Sequence, residues 1–136
     1  MFRHSICEPL NPEIIEKGAI EERDIISTFQ QHPWKDFLLQ MERAQDSDIQ
    51  YSPSLEFENQ TTGMGITVSA VGRPEAYRFY IFFKRPKVQK KLFGLVKKLK
   101  EDHIDECIEQ SEEEVIACLQ ALMMEDVDFL EQKFSA

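Results

Sequence analysis

A chain of 136 residues with 42% hydrophobic and 30% charged residues has the size and make-up of one globular domain, spanning residues 1–136. It contains no apolar run of the ~20 residues a membrane span needs, and Met1–Glu8 holds no apolar signal core, so a cytoplasmic protein is expected. The net charge of −9 argues against a dedicated DNA-binding domain, and no nucleic-acid partner is expected.

The charge is unevenly spread. Residues 1–83 carry 7 Lys/Arg against 13 Asp/Glu, residues 84–100 carry 8 against none, and residues 101–136 carry Lys133 against 12 acids. The basic segment is the one place where the argument from net charge could fail. Three cysteines, Cys7, Cys107 and Cys118, are odd in number and lack Cys-x-x-Cys spacing. That argues against a disulfide framework and a zinc ribbon and suits reduced thiols.

In chain order, residues 1–10 read as irregular. Asn11-Pro12-Glu13 has the residue types of a helix start. Gly18 should interrupt that helix, and Ile20, Ile25, Ile26 and Phe29 can share one face of a second, from about Ala19 to Gln31. Pro33 ends it and opens another, striped by Trp34, Phe37, Leu38 and Met41. Trp34 is expected to pack this helix on a sheet. A polar loop, Ala44–Asp48, follows.

Three period-two runs come next: Ile49, Tyr51, Leu55 and Phe57; Met64, Ile66, Val68 and Ala70; Tyr77, Phe79, Ile81 and Phe83. Alternation places each set on one face of a strand, and turn-rich gaps between them predict an antiparallel meander. Pro53 cannot donate to a ladder, which predicts an edge strand or a bulge. Tyr80 and Phe82 make the third strand apolar on both faces, as in a central or doubly covered strand.

Residues 86–100 admit two readings. Val88, Leu92, Leu95 and Leu99 fit a basic amphipathic helix. Alternatively Leu92-Phe93-Gly94-Leu95 is the tip of an excursion before a fourth strand at about His103–Gln110, the reading preferred because the helical stripe does not continue through Ile104 and Ile108. Ser111-Glu112-Glu113-Glu114 is a capping box. The helix it opens carries Val115, Ile116, Leu119, Leu122 and Met123 on one face. It either continues to about Phe134 or breaks near Glu125-Asp126. The expected fold is α+β: a three- or four-stranded antiparallel meander packed on one face by N-terminal helices and a C-terminal helix. Phe57, Val68, Phe79, Ile81, Leu119 and Leu122 should be buried together.

Chemical signatures are few. The chain has no phosphate loop, dinucleotide fingerprint, nucleophile elbow or His-Glu-x-x-His. His103 and Cys107 would lie one turn apart on a helix, beside Asp102, Asp105 and Glu106, but a pair falls short of a zinc ligand set. No catalytic, cofactor or metal residues are assigned. The expectation is a non-enzymatic interaction or regulatory protein: an adaptor, an inhibitor-like or an immunity-like binder. Its acidic surface suits a basic protein partner. The alternative is a small-molecule-binding or metal-dependent enzyme using carboxylates near His103. The candidate interaction surface is Tyr80, Phe82, Lys90, Lys91, Phe93, Lys97 and Lys98. A homodimer through the outer sheet face is expected, because helices on one side leave Tyr80 and Phe82 uncovered.

Overall fold

The structure is a computed structural model that describes residues 1–90 and 97–134, with 86–90 and 97–103 described by backbone alone. It is α+β. Its antiparallel sheet has six strands in the order β2-β1-β3-β4-β5-β6. These are β1 (Phe2–Cys7), β2 (Ile15–Ile20), β3 (Ser54–Asn59), β4 (Gly65–Arg73), β5 (Ala76–Lys90) and β6 (Lys97–Gln110). Helices α1 (Ile25–Gln31) and α2 (Trp34–Arg43) lie between β2 and β3, and α3 (Glu112–Met123) and α4 (Val127–Phe134) follow β6.

The sheet is wider than expected because two segments read otherwise are strands. Residues 2–7 are not irregular: Phe2, His4 and Ile6 alternate with Arg3, Ser5 and Cys7, and β1 pairs along its length with β3. Asn11-Pro12-Glu13 starts no helix. Asn11 Oδ1 instead accepts the Glu13 N–H at 2.9 Å, a local turn that leads into β2. Gly18 does not interrupt a helix. It sits with φ +85 where the β1–β2 register shifts between His4 and Ser5, a conformation that suits glycine. The next helix therefore starts late, at Ile25, after a 3₁₀ turn over Glu22–Asp24.

β3 is also not an edge. Pro53 stands one residue before it, so its missing N–H costs no ladder bond, and its carbonyl accepts the Ala70 N–H at 3.0 Å. Ile49 and Tyr51 lie outside the strand. Residues 86–90 and 97–100 are strand backbone, so the helical reading fails for them. The tip proposed at Leu92–Leu95 lies outside the described residues. The fourth strand of the meander starts at Lys97 rather than at about His103. The capping box forms as read: Ser111 Oγ accepts the Glu114 N–H and the Glu114 carboxylate accepts the Ser111 N–H. The helix breaks where Glu125 takes φ +54.

One parity of the strands makes the core. Leu55, Val68 and Ile81 stand side by side, as do Phe57, Ile66 and Phe83, and all six are fully buried. Ile25, Phe29, Trp34 and Leu38 join them from α1 and α2, and Val115, Leu119, Leu122, Leu130 and Phe134 from α3 and α4. The helices thus close the same face of the sheet. All six residues expected to be buried together belong to this cluster. Trp34 packs as read, and its indole N–H donates to the Phe29 carbonyl at 3.0 Å. Truncating Phe79 or Leu119 to Ala should lower unfolding free energy by about 2–5 kcal/mol. Urea melts of both variants matching the parent would show the core wrongly assigned.

His32 sits at the α1–α2 corner between Trp34 and Phe37, with ring centroids 4.4 and 5.3 Å away. Burial pushes its pKa down to about 4 from 6.5. The folded state therefore disfavours the imidazolium. Its contribution to stability is complete above pH 6.5 and is lost as pH falls toward 4. Discounted for partial exposure, the effect is about 1 kcal/mol. In denaturant titrations at pH 7 and pH 4.5, His32→Gln should lose less stability than the parent by about that amount. Equal losses would show that His32 does not carry the effect.

Candidate functional site: the helix-free face of the sheet

The other strand parity builds a face that carries no helix among the described residues. Two rows of directly opposed residues cross all the strands. One is Glu16, Ser5, Glu56, Thr67, Phe82 and Glu106; the other is Ala19, Arg3, Glu58, Gly65, Lys84 and Ile104. The β1–β3 half is polar and charged. The β5–β6 half carries Tyr80 and Phe82, half-buried, with Ile104 and Ile108 at 56% and 50% exposure. Ile104 and Ile108 flank Glu106, which lies opposite Phe82. The Ile104-Glu106-Ile108 pattern that breaks a hydrophobic alternation is thus the open face of an edge strand.

The polar half is held by ion pairs. Arg3 meets Glu16 at 2.9 Å. Lys84 pairs with Glu58 and lies 3.7 Å from Glu56. Gly65 explains how a β5 lysine reaches a β3 carboxylate. It stands directly between Lys84 and Glu58 and has no side chain to block the crossing. A Cβ there would also lie 3.1 Å from the Phe57 carbonyl oxygen. Lys84 and Glu58 are only 24% and 27% exposed, so this pair is shielded more than ordinary surface pairs. The Glu56 carboxylate accepts from Ser5 Oγ at 3.5 Å and Thr67 Oγ1 at 3.3 Å. Two neighbouring clefts of about 230 and 210 Å³ share Ser5, Glu16 and Glu56. Burial, with the Glu56 charge adding, pushes the Cys7 thiol up, which disfavours a nucleophilic thiolate.

The candidate residues divide. Tyr80 and Phe82 lie on this face. Lys90, Lys97 and Lys98 lie farther along β5 and β6, where Lys90 opposes Lys97 and Lys98 opposes Gln89. Lys91 and Phe93 lie outside the described residues. His103 and Cys107 are in a strand and not a helix, opposite Arg85 and Ile81. At about 3.3 Å per residue they stand roughly 13 Å apart along β6, too far to share one ion. Among the described residues no group of three His, Cys, Asp or Glu is placed to hold a metal. Asp105 pairs with Arg85 at 3.1 Å, and the Cys107 thiol donates to the Lys133 carbonyl at 3.2 Å. Burial raises the pKa of both the Cys107 and Cys118 thiols, Cys118 to about 11.

Sequence reasoning missed Arg3, Ser5 and Glu16, because β1 and β2 were not read as strands. The alternation of Phe2, His4 and Ile6 was the available signal, weakened by a histidine at its centre. Among the described residues no helix is long and apolar enough to cross a membrane. Comparison with protein-family models, with curated proteins and with solved structures finds no match to this chain.

Proposed function

We propose that this chain is a non-enzymatic binding protein that uses the helix-free face of its sheet as its contact surface, with a second copy of the chain as occupant. The observation that carries this is the uncovered apolar half of that face: Tyr80, Phe82, Ile104 and Ile108 on adjacent strands, with the last two at least half exposed. An apolar patch rimmed by charge marks an interaction site, and a two-fold dimer is the commonest way for one patch to cover itself. The charged half supports the reading, since Arg3, Lys84, Glu16, Glu56 and Glu58 give the face both signs to match across an axis. Cytoplasmic placement belongs to the same proposal and is supported by three free cysteines.

Sedimentation equilibrium at micromolar concentration tests it. The parent should run at about twice the 15.9 kDa chain mass. Phe82→Glu, which places a charge opposite Glu106, should shift the protein to monomer while its circular dichroism is unchanged. A monomeric parent, or a Phe82→Glu variant that remains dimeric, would reject the outer face as the dimer surface.

A further inference from the structure

The last pairing between β4 and β5 is Gly65 with Lys84. Beyond it β5 continues to Lys90, paired among the described residues with β6 alone, from His103 back to Lys97. Those six residues, Arg85–Lys90, form one strand of a two-stranded antiparallel ribbon that leaves the sheet. At about 3.3 Å per residue it extends roughly 20 Å past the last β4 pairing.

The ribbon's register is unusual in its charge. Lys87 stands opposite Lys100, Lys90 opposite Lys97, and Gln89 opposite Lys98. Like charges directly opposed on neighbouring strands repel and destabilise the pair. Residues 84–100 contain 8 Lys/Arg and no acid, while the rest of the chain carries the other 8 Lys/Arg against all 25 Asp/Glu. At the ribbon's foot Lys84 and Arg85 are paired with carboxylates and Glu101 and Asp102 follow on β6, so the excess positive charge lies farther out, on Lys87, Lys90, Lys97, Lys98 and Lys100. A dense external line of negative charge would relieve the repulsion and gain from counterion release.

We propose that this ribbon binds the phosphate backbone of double-stranded DNA without regard to base sequence. The net acidity of the chain does not govern the ribbon's far end. The Debye length at physiological salt is about 8 Å, so Lys90, Lys97 and Lys98, at the far end of the ~20 Å arm, stand about one screening length or more along the strands from Glu101 and Asp102 and farther from the body. A two-stranded ribbon also has the width that the ~12 Å major groove admits. An acidic protein surface would satisfy the charge but has neither the linear spacing of phosphates nor a groove. The proposal goes beyond the outer-face reading and does not depend on it.

Fluorescence anisotropy with a labelled 20-base-pair duplex of arbitrary sequence tests it on the full chain. Binding should be saturable at 50 mM salt and weaken roughly 100-fold by 200 mM, the slope expected for about four neutralised phosphates. The variant Lys87→Glu/Lys98→Glu/Lys100→Glu should abolish it. A control with the same change in net charge on the body, Lys17→Glu/Arg23→Glu/Lys35→Glu, should bind within about threefold of the parent, since those sites lie outside the ribbon. Circular dichroism of both variants confirms that each is folded. No saturable binding by the folded parent at 50 mM salt overturns the proposal. Equal loss in the body control overturns it in favour of net charge alone. Displacement by polyglutamate as efficiently as by unlabelled duplex overturns it in favour of an acidic protein partner. Phe82→Glu should leave this binding intact, so failure of the dimer and failure of the ribbon are read separately.

Discussion

Strand register is the constraint on which everything else in this protein depends. Leu55, Val68 and Ile81 lie in one row and Phe57, Ile66 and Phe83 in the next, and none keeps measurable exposure. A slip of one residue in any of these strands would send its whole apolar set to the opposite face. It would also carry Glu56, Glu58 and Lys84 into the core, where unpaired charge is costly. The same parity therefore specifies the packed face and the open one. Asn59 helps fix the β3–β4 turn, because its side-chain oxygen accepts the N–H of Thr61 at 2.9 Å and its carbonyl accepts that of Gly63.

The meander and the last helices were legible because each carried a redundant local signal. β3, β4 and β5 alternate strongly, and Ser111 with Glu114 is a cap that any helix start would use. The first twenty residues were less legible. β1 owes its existence to partners on both sides, and its inner face spends one of its three positions on His4, whose ring stacks 6.1 Å from that of Phe57. Asn11-Pro12-Glu13 has the chemistry of a helix start, but the chain that follows is taken by pairing with β1. Propensity lost there to tertiary context. The Pro53 inference failed for a narrower reason: the proline lies one position outside the ladder it was assumed to interrupt. Of the candidate site, Tyr80 and Phe82 were readable from β5 alone. Arg3 and Glu16 were not, since they belong to the face only once β1 and β2 are in place.

Charge in this molecule is sorted by position more than by amount. The open face balances acids with Arg3 and Lys84 inside a few residues. At the foot of the ribbon Arg85 holds Asp105 at 3.1 Å and Glu131 at 2.9 Å, with its guanidinium carbon 5.3 Å from the centre of the Phe83 ring. That arginine ties β5, β6 and α4 together at the point where the sheet narrows to two strands. Lys133 plays a matching part between α4 and α3: its ammonium meets Glu114 at 2.9 Å and holds that carboxyl below the usual range, with the Ser111 backbone helping. Glu114 thus serves the α3 cap and the α3–α4 joint at once.

The break at Glu125 makes α4 a short element, anchored by Leu130, Phe134 and the Lys133 contacts. Its eight residues are too few to hold a helix on their own in water. Cys107 donates its thiol to the Lys133 carbonyl, and Cys118 lies fully buried on α3 close enough to feel the Lys133 charge. Cys118 is therefore shut in while Cys107 keeps partial exposure, and a fully buried thiol reacts only during an opening. The rate at which a mild alkylating agent labels Cys118 becomes a clock inside the protein. It counts how often the C-terminal helix lets go of the sheet, with no probe added to the chain.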